Sequence, residues 1–202
     1  MTLVEDIVIK KLGQAEYLPT WQAMRAFTAQ RSDSTADELW LLEHPPVYTV
    51  GQGAPLPKID NAIPVLRTDR GGDITYHGPG QAVLYTLIDL GRRSIKVKRF
   101  VWLLEQAVID LLEGRAERRP GAPGVYVDGA KIAALGIRVV RGRTYHGVAL
   151  NVDMDLSPFA AIDPCGYPGL RVTQLRDLGF TESWQTAAAR LASILVQKLD
   201  DA

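Results

Sequence analysis

Cysteine is almost missing from this chain: Cys165 is the single one in 202 residues. No internal disulfide can form, which suits a reducing compartment. Long apolar runs are missing too. The longest candidates, such as "AVLYTLIDL", have strand length and fall short of the roughly 18 residues that a membrane span requires. The N-terminal "MTLVEDIVIKKLGQAEY" lacks the apolar core of a signal peptide, so a cytoplasmic location away from membranes is expected. Charge of neither sign dominates, with 23 Lys+Arg against 23 Asp+Glu, so no global field draws nucleic acid. His44, His77 and His146 lie far apart, and no HExxH, CxxC or His-x-His spacing offers a metal site. Internal repeats, low-complexity segments and linkers are also lacking.

What is present suits one domain spanning residues 1–202, since 47% hydrophobic residues at this length can bury one good core. Tyr17, Trp21, Met24 and Phe27 recur at helical spacing, and Phe100, Leu104, Val108 and Leu111 mark a second helix that Gly114 closes. Trp184, Ala188, Leu191, Leu195 and Leu199 mark a last one. "ELWLLEH" and "PVYTVG" read as short strands interrupted by Pro45 and Pro46, and "AVLYTLIDL" as a buried one. From Gly124 onward, short apolar stretches alternate with the turn signals Asp128-Gly129 and Arg141-Gly142, the pattern of an antiparallel meander. Helices and strands mix without regular βαβ alternation, so the expected class is α+β. Arg92, Arg93, Lys96, Lys98 and Arg99 form a basic run without an acid, which could receive an acidic partner or be a solvated helix start.

Cys165 sits in "IDPCGYPGLR", restricted on one side by Pro164 and opened on the other by Gly166. A free cysteine in an apolar run is usually a small buried hydrophobe, but this one is in a fixed loop, where functional groups concentrate. A nucleophilic thiolate needs a nearby cation or base to depress its pKa from about 8.5. His77, His146 and Lys131 are the candidates. Lys131, in "DGAKIAALGIRV", follows a tight turn and precedes apolar residues headed into the core. Its ammonium either points outward at the strand end or enters a cleft where it would favour a thiolate.

"RTDRGGDITYHGPGQ", residues 67–81, places four glycines within ten residues beside Arg70, Tyr76, His77 and Gln81, as a wall that approaches a ligand closely would. It is neither a Walker loop, since no GKS or GKT closes it, nor a dinucleotide fingerprint, since GxGxxG is absent.

With "WQAMRAF", "HPPVYTVGQ", "RGGDITYHGPGQ", "KIAALGIRV", "HGVALNV" and "DPCGYPG" in this order, the chain resembles the lipoyl(octanoyl) transferases from about residue 15 to 175. The resemblance implies a mixed, mostly antiparallel sheet flanked by helices, similar to the catalytic domain of biotin and lipoate protein ligases. It implies Cys165 as the acyl-accepting nucleophile and Lys131 as the residue that tunes it. Substrate contact falls to Arg70, Gly71, Gly72, Asp73, Ile74, Thr75, Tyr76 and His77, to Ala134, Leu135 and Gly136, and to Gly147, Val148 and Ala149. The implied donor is octanoyl-acyl carrier protein. The implied acceptors are lipoyl domains of 2-oxoacid dehydrogenase complexes and the glycine cleavage H protein. A monomer needing neither cofactor nor metal is expected, because the thioester arrives already activated.

Overall fold

The computed structural model describes residues 7–59, 61–162 and 169–202. Seven strands form the main sheet: β1 (Val8–Gln14), β2 (Glu38–Glu43), β6 (Gln81–Leu87), β7 (Glu117–Arg119), β8 (Ala122–Val127), β9 (Ala130–Val140) and β10 (Arg143–Asn151). Their spatial order is β1-β2-β6-β10-β9-β8-β7. Only β1 and β2 pair parallel; every other neighbouring pair is antiparallel. A smaller sheet orders β4 (Val65–Arg67), β3 (Val47–Val50) and β5 (Ile74–His77). The two strands separated by Pro45 and Pro46 therefore belong to different sheets.

The mixed, mostly antiparallel α+β architecture follows from how the strands are covered. Every residue of β6 is buried, and β2 is buried but for Glu43. Such runs read as continuously apolar because both faces are packed. One face lies under α2 (Val97–Leu111) and α3 (Trp184–Asp200), which contribute Phe100, Leu103, Leu104, Val108, Leu191 and Leu195. The other lies under α1 (Tyr17–Gln30), where Met24 meets Trp40, Leu42, Val83 and Tyr85. Neither α1 nor α2 has a side-chain N-cap. Such a cap contributes about 1 kcal/mol, whereas each fully buried Leu or Phe contributes about 1.5–3 kcal/mol, so packing decides these helices.

The predicted turns form as two-residue hairpin turns with both residues left-handed: Asp128 and Gly129 at φ 48° and 81°, Arg141 and Gly142 at 51° and 78°. Gly114, at φ 77°, ends the turn after α2 by donating its N–H to the Ile109 carbonyl at 3.0 Å. Among the described residues, no helix is long and apolar enough to cross a membrane.

The basic run divides into two parts. Asp37 is completely buried and meets three guanidinium groups: Arg31 at 2.5 Å, Arg92 at 2.9 Å and Arg93 at 2.7 Å. Burial alone would push the Asp37 carboxyl up, but hydrogen bonds from Arg93, Arg31 and the Asp89 amide outweigh it and hold it below the usual carboxylate range. Arg92 and Arg93 thus turn inward, and the exposed remainder of the run is Lys96, Lys98 and Arg99. Removing one partner of a buried ion cluster strands the others, typically at about 3–5 kcal/mol. Asp37→Ala should lose stability of that size in urea unfolding; a loss below about 1 kcal/mol would show that the cluster contributes little.

Candidate active site

The loop from Arg70 to Asp73 is seated by backbone and by one buried side chain. Gly71 N–H donates to the Ile137 carbonyl of β9 at 3.0 Å. The Arg70 guanidinium donates to the Thr49 carbonyl at 2.6 Å, the Asp73 carbonyl at 2.7 Å, the Gly71 carbonyl at 3.0 Å and Thr49 Oγ1. Arg70 is therefore a strut that shapes the loop. The close approach also explains Gly136, where a β-carbon would stand 2.8 Å from the Gly71 carbonyl oxygen.

Lys131 is 4% exposed, near the start of β9. Its Nζ donates to the Pro123 carbonyl at 3.0 Å and lies 5.4 Å from the centre of the Tyr126 ring. Of the two orientations the sequence left open, the inward one is observed. Gly124 makes room for it, since a β-carbon there would collide with the Lys131 side chain. Lys131 N–H donates to the Arg171 carbonyl at 2.8 Å, and its carbonyl accepts from Thr173 N–H at 3.0 Å. The chain that follows residue 168 is thereby fastened beside the lysine. Cys165 itself lies outside the described residues.

Twelve of the substrate residues expected from the sequence line one cleft: Arg70, Gly72, Asp73, Ile74, Thr75, His77, Ala134, Leu135, Gly136, Gly147, Val148 and Ala149. Strand register brings the last six together, because Gly147 pairs with Gly136, Val148 with Leu135 and Ala149 with Ala134. Two expected residues are elsewhere. Gly71 lines an adjoining groove of about 450 Å³ between β9 and α2. Tyr76 faces away, since alternate residues of a strand point to opposite sides, and its ring packs 5.5 Å from those of Tyr48 and Phe159.

The cleft is narrow, about 40 Å³, which admits a few waters. Its mouth is the partly exposed Gly72, Asp73, Leu135 and Gly136, shared with the groove. Asp73 and Ile74 also border a cavity reaching Ala160–Ile162, the described residues just before the cysteine loop. The inner end is formed by buried residues that the sequence reading did not assign to it: Tyr17, Val83, Tyr85 and His146. Tyr17 belongs to the stripe of helical spacing in α1, which marks a packed face but not which part of it closes a cleft, and His146 stands outside the glycine-rich stretch.

The histidines at this end are held neutral. His44 Nδ1 faces the Ala15 carbonyl at 2.5 Å, so it carries the hydrogen, and Nε2 accepts from the Tyr85 hydroxyl at 2.7 Å. His77 Nδ1 faces Gln81 Oε1 at 2.7 Å, while the Gln81 amide nitrogen donates to Tyr76 O and Asn151 Oδ1. Burial depresses His44 to about 4 and His77 to about 3, and it also lowers His146. Beside them Asp69 accepts from Trp21 Nε1 at 2.8 Å, Tyr145 at 2.5 Å and His146 Nε2 at 2.9 Å. Burial pushes Asp69 up, yet these donors hold it well below the usual carboxylate range.

The sign of the pH dependence follows. Above about pH 6.5 His44 and His77 are neutral folded and unfolded; below it the unfolded chain takes up protons that the native state refuses. Each histidine then removes up to about 1.4 kcal/mol per pH unit until its folded pKa is reached. Stability should fall steeply from pH 6 to pH 4, and unfolding at pH 5 should take up about two protons from this pair. Titration calorimetry and urea unfolding check this, and flat stability between pH 7 and pH 5 would contradict it.

Residues 16–195 match the family described as the lipoyl protein ligase A/B catalytic domain. An octanoyltransferase of Thiobacillus denitrificans is 61% identical over 195 residues, covering 94% of this chain and 89% of its own length. One of Aromatoleum aromaticum is 58% identical, covering 96% and 86%. Among solved structures, a putative lipoate protein ligase of Thermoplasma acidophilum with bound lipoic acid superposes with a TM-score of 0.71 at 15% identity, covering 97% of this chain and 85% of its own. Biotin protein ligase of Aquifex aeolicus superposes with a TM-score of 0.60 at 10% identity, covering 97% and 71%. These two likenesses establish the shared fold. With relatives this similar over nearly the whole chain, the protein belongs to the octanoyltransferases, acyltransferases of the lipoyl protein ligase A/B catalytic-domain family.

Proposed function

We propose that this enzyme moves an octanoyl group from acyl carrier protein to a lysine of lipoyl-domain proteins, among them 2-oxoacid dehydrogenase components and the glycine cleavage H protein, through a thioester on Cys165. The reaction would take place in the cytoplasm, with a monomeric enzyme. The observation that carries this reading is a buried lysine, Lys131, fastened by two backbone hydrogen bonds to the residues that follow the cysteine loop.

In the first half-reaction the Cys165 thiolate attacks the thioester carbonyl, an oxyanion forms, and the carrier thiolate leaves. Lys131 as ammonium favours the thiolate and gives its proton to the departing sulfur. In the second, the neutral Lys131 amine takes a proton from the acceptor lysine, whose unperturbed pKa of about 10.4 otherwise keeps it a non-nucleophile near neutral pH. The acceptor amine then attacks the thioester and displaces Cys165 as the thiolate, its second proton passing to solvent as the amide forms, so the thiolate and the Lys131 ammonium are both restored and the cycle closes without nucleotide or metal. Ile74, Leu135 and Val148 supply apolar walls for the chain, each buried methylene contributing about 0.8 kcal/mol.

The test is transfer to a lipoyl domain. Octanoyl carrier alone should support product formation, and free octanoate with ATP and magnesium should not; the reverse pattern would mark a ligase. Cys165→Ala should reduce the rate by about 10³-fold or more, and Lys131→Met by about 10²–10⁴-fold. Both variants should keep the wild-type melting temperature to within a few degrees. Near wild-type rates in either folded variant would refute its assigned role.

A further inference from the structure

Two arginines beside Lys131 are left unused by this chemistry. A cavity of about 420 Å³ lies between β7, the β8–β9 turn and the chain that leaves the cysteine loop, and Arg119, Tyr126, Gly129, Gly169 and Arg171 line it. Two guanidinium groups converge there. A β-carbon on Gly129 would stand 3.1 Å from Arg119 Nη2 and 3.6 Å from Arg171 Nη2. The turn requires a left-handed residue at this position, φ 81°, and the missing side chain leaves the space between the two cations open.

Neither cation is matched by a close carboxylate. Arg119 Nε is 3.9 Å from Glu117, whose side chain is 64% exposed. Arg171 Nη2 donates to the Asp128 carbonyl at 2.8 Å and forms no ion pair among the described residues. Arg118, the neighbour of Arg119, turns instead to Glu105 at 3.1 Å. Two such guanidiniums repel one another, and a shared anion removes the repulsion. Their planar donor forks suit a carboxylate or a phosphate.

The place of the pair relative to Lys131 selects between these anions. Arg119 Cζ lies 4.6 Å from the centre of the Tyr126 ring, and Lys131 Nζ lies 5.4 Å from the same centre. In the second half-reaction the acceptor amine must meet Lys131 Nζ to give up its proton. A lysine side chain spans only about 6 Å from backbone to nitrogen, so residues beside the acceptor lysine in its own chain arrive about as far from Lys131 as Arg119 is. The other anion that the reaction brings is the phosphate of the carrier's pantetheine arm. That arm is far longer than a lysine side chain, so an extended arm with its sulfur at Lys131 leaves the phosphate well beyond the Tyr126 ring.

We infer that Arg119 and Arg171 form an anion site that receives a carboxylate carried next to the acceptor lysine. The pair thus recognises the protein that accepts the acyl group and does not serve the donor. The inference rests on the acyl-transfer reading. Arg119 and Arg171 touch none of the reacting atoms and act in recognition alone.

Measuring the two half-reactions separately tests this. In the double variant Arg119→Gln with Arg171→Gln, kcat/KM for a lipoyl-domain acceptor should fall about tenfold. Octanoylation of the same variant by octanoyl carrier, without acceptor, should keep its wild-type rate. A lipoyl domain with the carboxylates nearest its target lysine replaced by amides should lose as much with wild-type enzyme, and nothing further with the double variant. Arg119→Lys with Arg171→Lys should recover part of the loss, because the charge is kept while the fork is not. A fall confined to the carrier half-reaction would assign the pair to the pantetheine phosphate, and equal falls in both halves would mark a structural role. Either result overturns the inference, as does an unchanged acceptor kcat/KM. Should the double variant not fold, Arg171→Gln alone, at an exposed position, carries the same comparison. If wild-type enzyme takes no octanoyl group from the carrier, the acyl-transfer reading fails instead, so the two failures are distinct.

Discussion

Two backbone hydrogen bonds, from Lys131 N–H to the Arg171 carbonyl and from Thr173 N–H to the Lys131 carbonyl, join the start of β9 to the segment that follows the cysteine loop. The rest of the site is arranged around that join. Asn151, at the end of β10, donates to the Thr173 carbonyl at 3.0 Å, so the same segment is also tied to the strand that bears Gly147 to Ala149. The opposite wall is held by Arg70, whose guanidinium ties the glycine-rich loop to Thr49 and Asp73. Two sheets and a loop are thus tied together through their main chain, by backbone amides at Lys131 and Thr173 and by the side chains of Asn151 and Arg70.

At the inner end of the cleft, burial keeps imidazolium charge off the histidines. His44, His77 and His146 are neutral because burial disfavours the imidazolium and each has a carbonyl, amide or carboxylate partner that fixes its tautomer. Uncharged histidines beside Val83, Leu135 and Val148 suit an acyl chain better than imidazolium groups would. Asp37 is paired with three arginines, and the Asp69 carboxylate is held by three hydrogen-bond donors.

Local rules made much of this legible in the sequence. The Asp128-Gly129 and Arg141-Gly142 turns, the helices with apolar spacing, and the glycine-rich wall all follow from backbone preferences or periodicity within a few residues. β1 was not legible, because it is an edge strand whose residues are all exposed and which carries Lys10 and Lys11, so it lacks the alternation that marks a half-buried strand. The strand inside the glycine-rich stretch was not legible either, and it matters, since pleating is what turns Tyr76 away while keeping Thr75 and His77 in the cleft. Arg92 and Arg93 read as available charge because their partner, Asp37, lies more than fifty residues earlier. Tyr17 read as core for a related reason: a helix face that covers the sheet and one that closes a cleft have the same periodicity.

The account's central claim is that octanoyl transfer passes through a covalent thioester on Cys165. Intact-mass measurement of the enzyme incubated with octanoyl carrier in the absence of any acceptor tests it most directly. The account predicts protein heavier by one octanoyl group, released by hydroxylamine and mapped to the peptide containing Cys165. An acyl group found on another residue, or steady turnover with no acylated enzyme at any time, would contradict it.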